Sequence, residues 1–137
     1  PRSTLFPYTT LFRSLAIREA QLGANHPHTA ISLNNLADLY DSTGQYRQAL
    51  PLYERALMIR EAQLGAAHPD TAGSRNNLAA LYYSMGQPEK ALPLFDRAVA
   101  VAEKALGPNH PDTKTVRANL EACRKALAEQ TGGTDED

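Results

Sequence analysis

The side chains best suited to nucleophilic, acid–base or metal chemistry are four histidines, His26, His28, His68 and His110, and one cysteine, Cys123. Three of the histidines precede a proline, in His26-Pro27, His68-Pro69 and His110-Pro111, and the two intervals between them are both 42 residues. A metal site or a nucleophile with its base needs the groups to converge on one point. Groups that recur with a structural repeat are instead held a repeat apart, so these three histidines read as loop residues of a scaffold. His28 occurs once. Cys123 has no second thiol for an internal disulfide or a shared metal, which suits a reducing compartment and a cytoplasmic location. No glycine-rich phosphate loop is present. The expectation is a protein with no catalytic residues, no metal site and no cofactor.

A different chemistry recurs at the same interval. Asn35, Asn77 and Asn119 stand 42 residues apart, and an asparagine offers one acceptor and two donors. A ladder of such amides can pair with the C=O and N–H groups of a bound peptide whatever its side chains. The same amides can equally bond a neighbouring helix, the commoner use of buried polar groups.

The period is a repeat and not a coincidence of three dipeptides. Residues 23–64 and 65–106 align with 24 identities in 42 positions, among them Asn34-Asn35-Leu36-Ala37 against Asn76-Asn77-Leu78-Ala79. Residues 15–22 match 57–64 except that Ala16 replaces Met58, so they read as the tail of an earlier, truncated repeat. From Gly107 the opening of the unit begins once more, with Asn109-His110-Pro111-Asp112-Thr113, and the pattern gives way at 130–137 to an acidic tail expected to be disordered.

Within each unit the apolar residues predict two helices. Leu33, Leu36, Ala37 and Tyr40 fall on one helical face, with Gly44 as the stop; Ala49, Leu52, Tyr53 and Ala56 fall on one face of a second helix that starts near Tyr46 and ends near Gly65. Pro27, Pro69 and Pro111 mark helix starts, where a missing N–H leaves no bond unmade, and Asp70 and Asp112 suit the positive end of the helix dipole. Pro51 and Pro93 conflict with this scheme, since each lies inside the second helix and interrupts its hydrogen-bond ladder.

These positions resemble the tetratricopeptide signature, W-x2-L-G-x2-Y followed by A-x3-F, in a 42-residue form. Leu33, Leu36, Ala37, Tyr40, Ala49, Tyr53 and Ala56 occupy its small and hydrophobic places in one unit. Leu78, Ala79, Tyr82, Ala91, Phe95 and Ala98 do so in the next, while Arg75 departs at the tryptophan place. The His-Pro-x-Thr and Leu-Asn-Asn-Leu-Ala-x-Leu-Tyr phrasing is similar to kinesin light chain and its bacterial relatives. The resemblance implies an all-α fold, a right-handed α-solenoid of stacked antiparallel helix pairs whose first helices line a concave groove. It also implies that residues 107–129 form a capping helix, since Glu121 and Arg124 replace apolar residues there. The function implied is a non-catalytic scaffold that binds an extended peptide or partner segment; the alternative is a regulatory or sensing arm of a larger signalling protein fused to an ATPase or protease domain.

Around each first helix, Ile31, Asn35, Asp38 and Ser42 lie opposite the apolar face, as do Gly73, Asn77, Ala80 and Ser84, then Thr115, Asn119 and Ala122. The resemblance implies that corresponding asparagines contact peptide backbones, so the candidate groove residues are Asn35, Asp38, Asn77, Tyr83 and Asn119, with Tyr83 as an aromatic anchor. Asn34 and Asn76 point about 100° away, towards neighbouring helices. The lysine and arginine set that grips a C-terminal carboxylate in some tetratricopeptide domains is missing from these positions.

Residues 1–14, PRSTLFPYTTLFRS, share no pattern with the rest. Read back into codons they reproduce an oligonucleotide resembling a sequencing adapter, and we read them as an assembly artefact that stands outside the fold. Without its Arg2 and Arg13, 12 basic residues face 15 acidic ones with no basic stripe, which argues against nucleic acid as a partner. No apolar run approaches the roughly 20 residues of a membrane span. The expected partner is a protein or peptide, with no membrane association; nothing in the sequence sets an oligomeric state.

Overall fold

A computed structural model describes residues 2–133, with side chains described from residue 7 onward. Six helices and no strands are found among these residues: α1 (Arg2–Leu22), α2 (Pro27–Ser42), α3 (Tyr46–Leu64), α4 (Pro69–Ser84), α5 (Pro88–Leu106) and α6 (Pro111–Gly132). They form two compact units, residues 1–66 and 67–137, divided where the sequence repeats.

In the first unit α2 packs against α1 and α3. Thr43, Gly44 and Gln45 alone separate α2 from α3, and so short a connection forces the two helices antiparallel. Gly44 sits at φ 76°, the left-handed region that a side chain resists, and this is what lets the chain reverse there. The core consists of Leu15 from α1, Ala30, Leu33 and Leu36 from α2, and Ala56 and Ile59 from α3, with Tyr8, Leu11, Tyr40 and Leu52 around them. Leu33 and Leu36 are fully buried, each contributing about 1.5–3 kcal/mol. Ala49 and Ala56 are also fully buried; their small side chains allow α3 to lie close on α2.

The second unit repeats the hairpin with α4 and α5 and adds α6, which packs mainly on α5. Its core joins Ala72 and Ala79 to Ala91, Phe95, Ala98 and Val99, and to Val116, Leu120 and Cys123. Arg75, at the signature's tryptophan place, is 1% exposed and therefore part of the interior.

Both prolines that conflict with helix propensity, Pro51 and Pro93, lie inside continuous helices. Packing of the flanking apolar residues outweighs the lost hydrogen bond. Two boundaries differ from the sequence reading. The last helix extends past residue 129 to Gly132, taking in Gln130 and Thr131 of the expected disordered tail; residues 134–137 of that tail lie outside the described ones. Residues set apart from the fold at the amino end join it: α1 is continuous across residue 14, and Tyr8 stacks on Tyr40 with ring centroids 5.0 Å apart. The Tyr8 hydroxyl also lies 3.0 Å from Thr43 Oγ1 and accepts from Gln45 Nε2. Tyr8, Leu11 and Leu15 recur at helical spacing, and any segment with that pattern can cover the apolar side of α2, whatever its origin.

Candidate functional site

Every repeat opens in the same way. The side chains of His26, His68 and His110 are N-caps: Nδ1 accepts the backbone N–H of the residue two places on, His28 at 3.1 Å, Asp70 at 3.0 Å and Asp112 at 3.1 Å. Proline follows at the first helical position in all three. The threonine of His-Pro-x-Thr is fully buried each time, as Thr29, Thr71 and Thr113. Thr29 Oγ1 donates to the Gly23 carbonyl at 2.8 Å, in the preceding loop, and Thr113 Oγ1 to the Ala102 carbonyl at 3.3 Å, in the preceding helix α5. The repeated histidines thus have a structural use that spacing alone did not reveal, although their place before each helical proline was the available signal. Among the described residues no cluster of three histidine, cysteine or acidic side chains could hold a metal.

Cys123 is buried, with its Sγ 3.3 Å from the Pro88 carbonyl. Burial first, then the negative charges of Asp96 and Glu89, pushes its thiol up from the ordinary range, which is the reverse of what a nucleophile requires.

The face opposite the core is open along α2, where Ile31, Asn35, Asp38 and Ser42 are all exposed. In the second unit Gly73, Asn77 and Ala80 are half-buried, Ser84 and Tyr83 are exposed, and on α6 Thr115 and Ala122 are exposed with Asn119 half-buried. The five candidate residues then divide into two kinds. Asn35, Asn77 and Tyr83 have no hydrogen-bond partner among the described residues, and Tyr83 is 40% exposed. Asp38 and Asn119 are engaged within the fold.

Asn119 Nδ2 donates to Asn76 Oδ1 at 3.0 Å, a bond from α6 to α4. Asn76 is thereby an internal tie, as its direction on the helix suggested, and one donor of Asn119 is spent on it. Asp38 Oδ1 accepts from the Tyr53 hydroxyl, joining α2 to α3. Burial, the bond to Asp38 and the charge of Asp38 and Asp41 together drive the Tyr53 phenol far above its usual range, so it remains a donor. One turn on, Asp41 is also raised, by burial first and by the charge of Asp38 second, against a lowering contribution from Tyr53. The Tyr53–Asp38 bond was not foreseen. Its signal was a matched difference between repeats, where Tyr53 and Asp38 become Phe95 and Ala80.

A cleft of about 490 Å³ between α1 and α2 is lined by Arg13, Ile17, Arg18, Leu22 and His28, with Thr10, Ser14 and Gln21. No helix among the described residues is long and apolar enough to cross a membrane.

Two models described as tetratricopeptide repeat match the sequence, one over residues 10–62 and one over residues 71–112, together more than half of the chain. A search of curated protein sequences gives no match. Among solved structures, the nearly identical, kinesin light chain TPR-like repeats of Podosopora anserina share 28% identity at a TM-score of 0.83, covering 91% of this chain and 59% of that one. A variant of the same protein aligns at 26% identity and a TM-score of 0.74, covering 96% of this chain and 62% of that one. BtubC (BKLC) from P. vanneervenii gives 26% identity and a TM-score of 0.80 over 88% of this chain and 48% of its own length. The chain thus spans between 48% and 62% of the length of these structures. Tetratricopeptide repeats are typically non-catalytic and generally mediate protein–protein interaction. With its period, helical hairpins and family matches in agreement, the chain belongs to the tetratricopeptide-repeat family and is similar to its kinesin light chain-like members.

Proposed function

We propose that the chain is a non-catalytic binding scaffold that holds an extended peptide segment of a partner protein against the exposed faces of its first helices. The observation that carries this reading is the state of Asn35 and Asn77. Each belongs to a helix whose opposite side is packed, each is accessible, and neither amide is used within the fold. An amide with unused donors and acceptor can bond to a peptide backbone without selecting its side chains. Tyr83 supplies an exposed ring beside such a face on α4, a rigid and amphipathic contact that interfaces favour. Asp38 and Asn119 contribute shape and position to these faces, since their principal bonds are internal.

A display library of unstructured peptides screened on the full chain tests the reading. Selected peptides should lose about fivefold in affinity on Asn35→Ala or Asn77→Ala, the effect of one ordinary hydrogen bond. Tyr83→Ala should weaken binding about tenfold or more if the ring is an anchor. Met58→Ala, on the exposed side of α3, should leave binding unchanged. Peptides that respond to Met58 and ignore all three other positions would place the binding surface on the second helices instead.

A further inference from the structure

The three helix entrances share one cap but differ two residues later. At α4 and α6 the position after Pro is aspartate, and Asp70 Oδ2 and Asp112 Oδ2 each lie 3.9 Å from the Nδ1 of the capping His68 and His110. At α2 the equivalent residue is His28, whose ring meets that of His26 edge-on with centroids 4.9 Å apart. We propose that the His26–His28 pair makes the entrance to α2 acid-labile, so that mild acidification loosens the Gly23–His26 connection while the entrances to α4 and α6 stay closed.

The cap bond exists only while Nδ1 carries no proton, because a protonated imidazole has a donor at both ring nitrogens and would then face the donor N–H of His28. At His68 and His110 the incoming proton has a destination: the adjacent carboxylate can accept from Nδ1–H as the bond to the backbone is lost. At His26 there is none. Instead a second imidazole stands 4.9 Å away, and protons on both rings would set two cations side by side at a helix N-terminus, where positive charge is already unfavourable.

The surroundings on the packed elements do not relieve this. From α1, Arg18 donates to the His28 carbonyl at 2.9 Å, and Arg13 lines the same cleft as His28. From α3, Arg55 donates to the Ala24 carbonyl at 3.1 Å. The one carboxylate among these groups, Glu19, is paired with Arg55 at 2.7 Å. The arginines near this entrance thus outnumber its carboxylates, and the one carboxylate is already paired. The direction follows from the cap itself: the open entrance can take a proton on Nδ1 that the capped entrance excludes, so the cap weakens as pH falls.

Residue-resolved amide exchange on the full chain, compared at about pH 7.5 and about pH 5.5, on either side of the range in which imidazoles in general gain a proton, reads the effect directly. After correction for the intrinsic pH dependence of exchange, protection of Thr29 and Ala30, whose N–H groups bond to the His26 carbonyl, should fall by about fivefold, the factor carried by loss of a typical helix cap. Protection of Ala72 and Lys114, which bond to the His68 and His110 carbonyls, should stay within about twofold, well short of a lost cap. His28→Asp should abolish the difference by copying the other two entrances. His26→Asn, which keeps a capping acceptor that does not titrate, should abolish it as well. Equal losses at all three helices, no loss at α2, or full acid sensitivity retained in both variants would each overturn the proposal.

Discussion

Tyr53 and Asp38 differ from Phe95 and Ala80, their counterparts one repeat later, by a matched exchange in which hydroxyl and acceptor are both present or both absent. Tyr53 is 2% exposed, so Asp38→Ala removes the main acceptor of its hydroxyl and leaves only Asp41 beside it, and should destabilise by about 0.5–1.5 kcal/mol. Tyr53→Phe leaves an exposed carboxylate that water can solvate, and should cost about 0.5–1.5 kcal/mol. The double variant reproduces the pairing of the second repeat and should lie closer to the native chain than either single change predicts. A denaturant-unfolding cycle measures this coupling, and additive effects would mean that the bond contributes nothing. Asp41 makes a separate pH prediction. Its carboxyl holds a proton more tightly in the fold than in the unfolded chain, because burial and Asp38 oppose its ionisation. The stability it contributes is therefore present below the ordinary carboxylate range, near pH 4, and lost as pH rises through the elevated folded value. Asp41→Asn should raise the unfolding midpoint at neutral pH and have no such effect in strong acid.

At the scale of the helices, the small residues set how closely partners approach and the large ones fill what remains. Phe95 on α5 is 1% exposed and sits among Ala72, Ala79, Ala91, Val116 and Cys123. Phe95→Ala should destabilise by about 3–5 kcal/mol, since alanine neighbours are too short to collapse into the space. Thermal unfolding followed by circular dichroism would register this, and a loss below about 1 kcal/mol would mean that the site relaxes around the cavity. The helix boundaries were legible in the sequence because the signals were local: proline at the first position, glycine at the turn, apolar residues three and four apart. The caps were only half legible. The sequence placed histidine before each proline, but a histidine can be donor, acceptor or neither, and only the backbone geometry shows Nδ1 receiving an N–H. The end of α6 was misjudged for the opposite reason, because polar composition argued for disorder while the helix had no stop signal before Gly132 and Gly133.

At the scale of the whole chain, the helices differ in how much of their surface has a partner. Leu15 is the one buried residue of α1 among those whose side chains are described, whereas α5 buries Pro88, Ala91, Phe95, Ala98, Val99 and Ala102. Local stability follows buried apolar contact, so amides of residues 15–22 should exchange much faster than those of 91–102. Hydrogen exchange with mass-spectrometric detection decides it, and protection of 15–22 equal to that of α5 would show that α1 is an integral part of its unit. The same weak anchoring explains how a segment with no counterpart in the repeats, residues 8–14, can take a place on α2 by helical pattern alone.

By itself the sequence determined the period, the helical hairpin and the family, because repetition prints the same short-range signals several times over and each copy checks the others. It also determined which side of each first helix faces away from the core, since 100° per residue leaves no choice once the apolar side is known. Tertiary structure alone decided which polar side chains on that outward side are free. Asn119 and Asn77 are the same residue at equivalent positions, yet Asn119 is bonded to Asn76 and Asn77 has no such bond. That difference depends on which helix packs alongside, a fact of three-dimensional neighbours that a linear pattern does not contain.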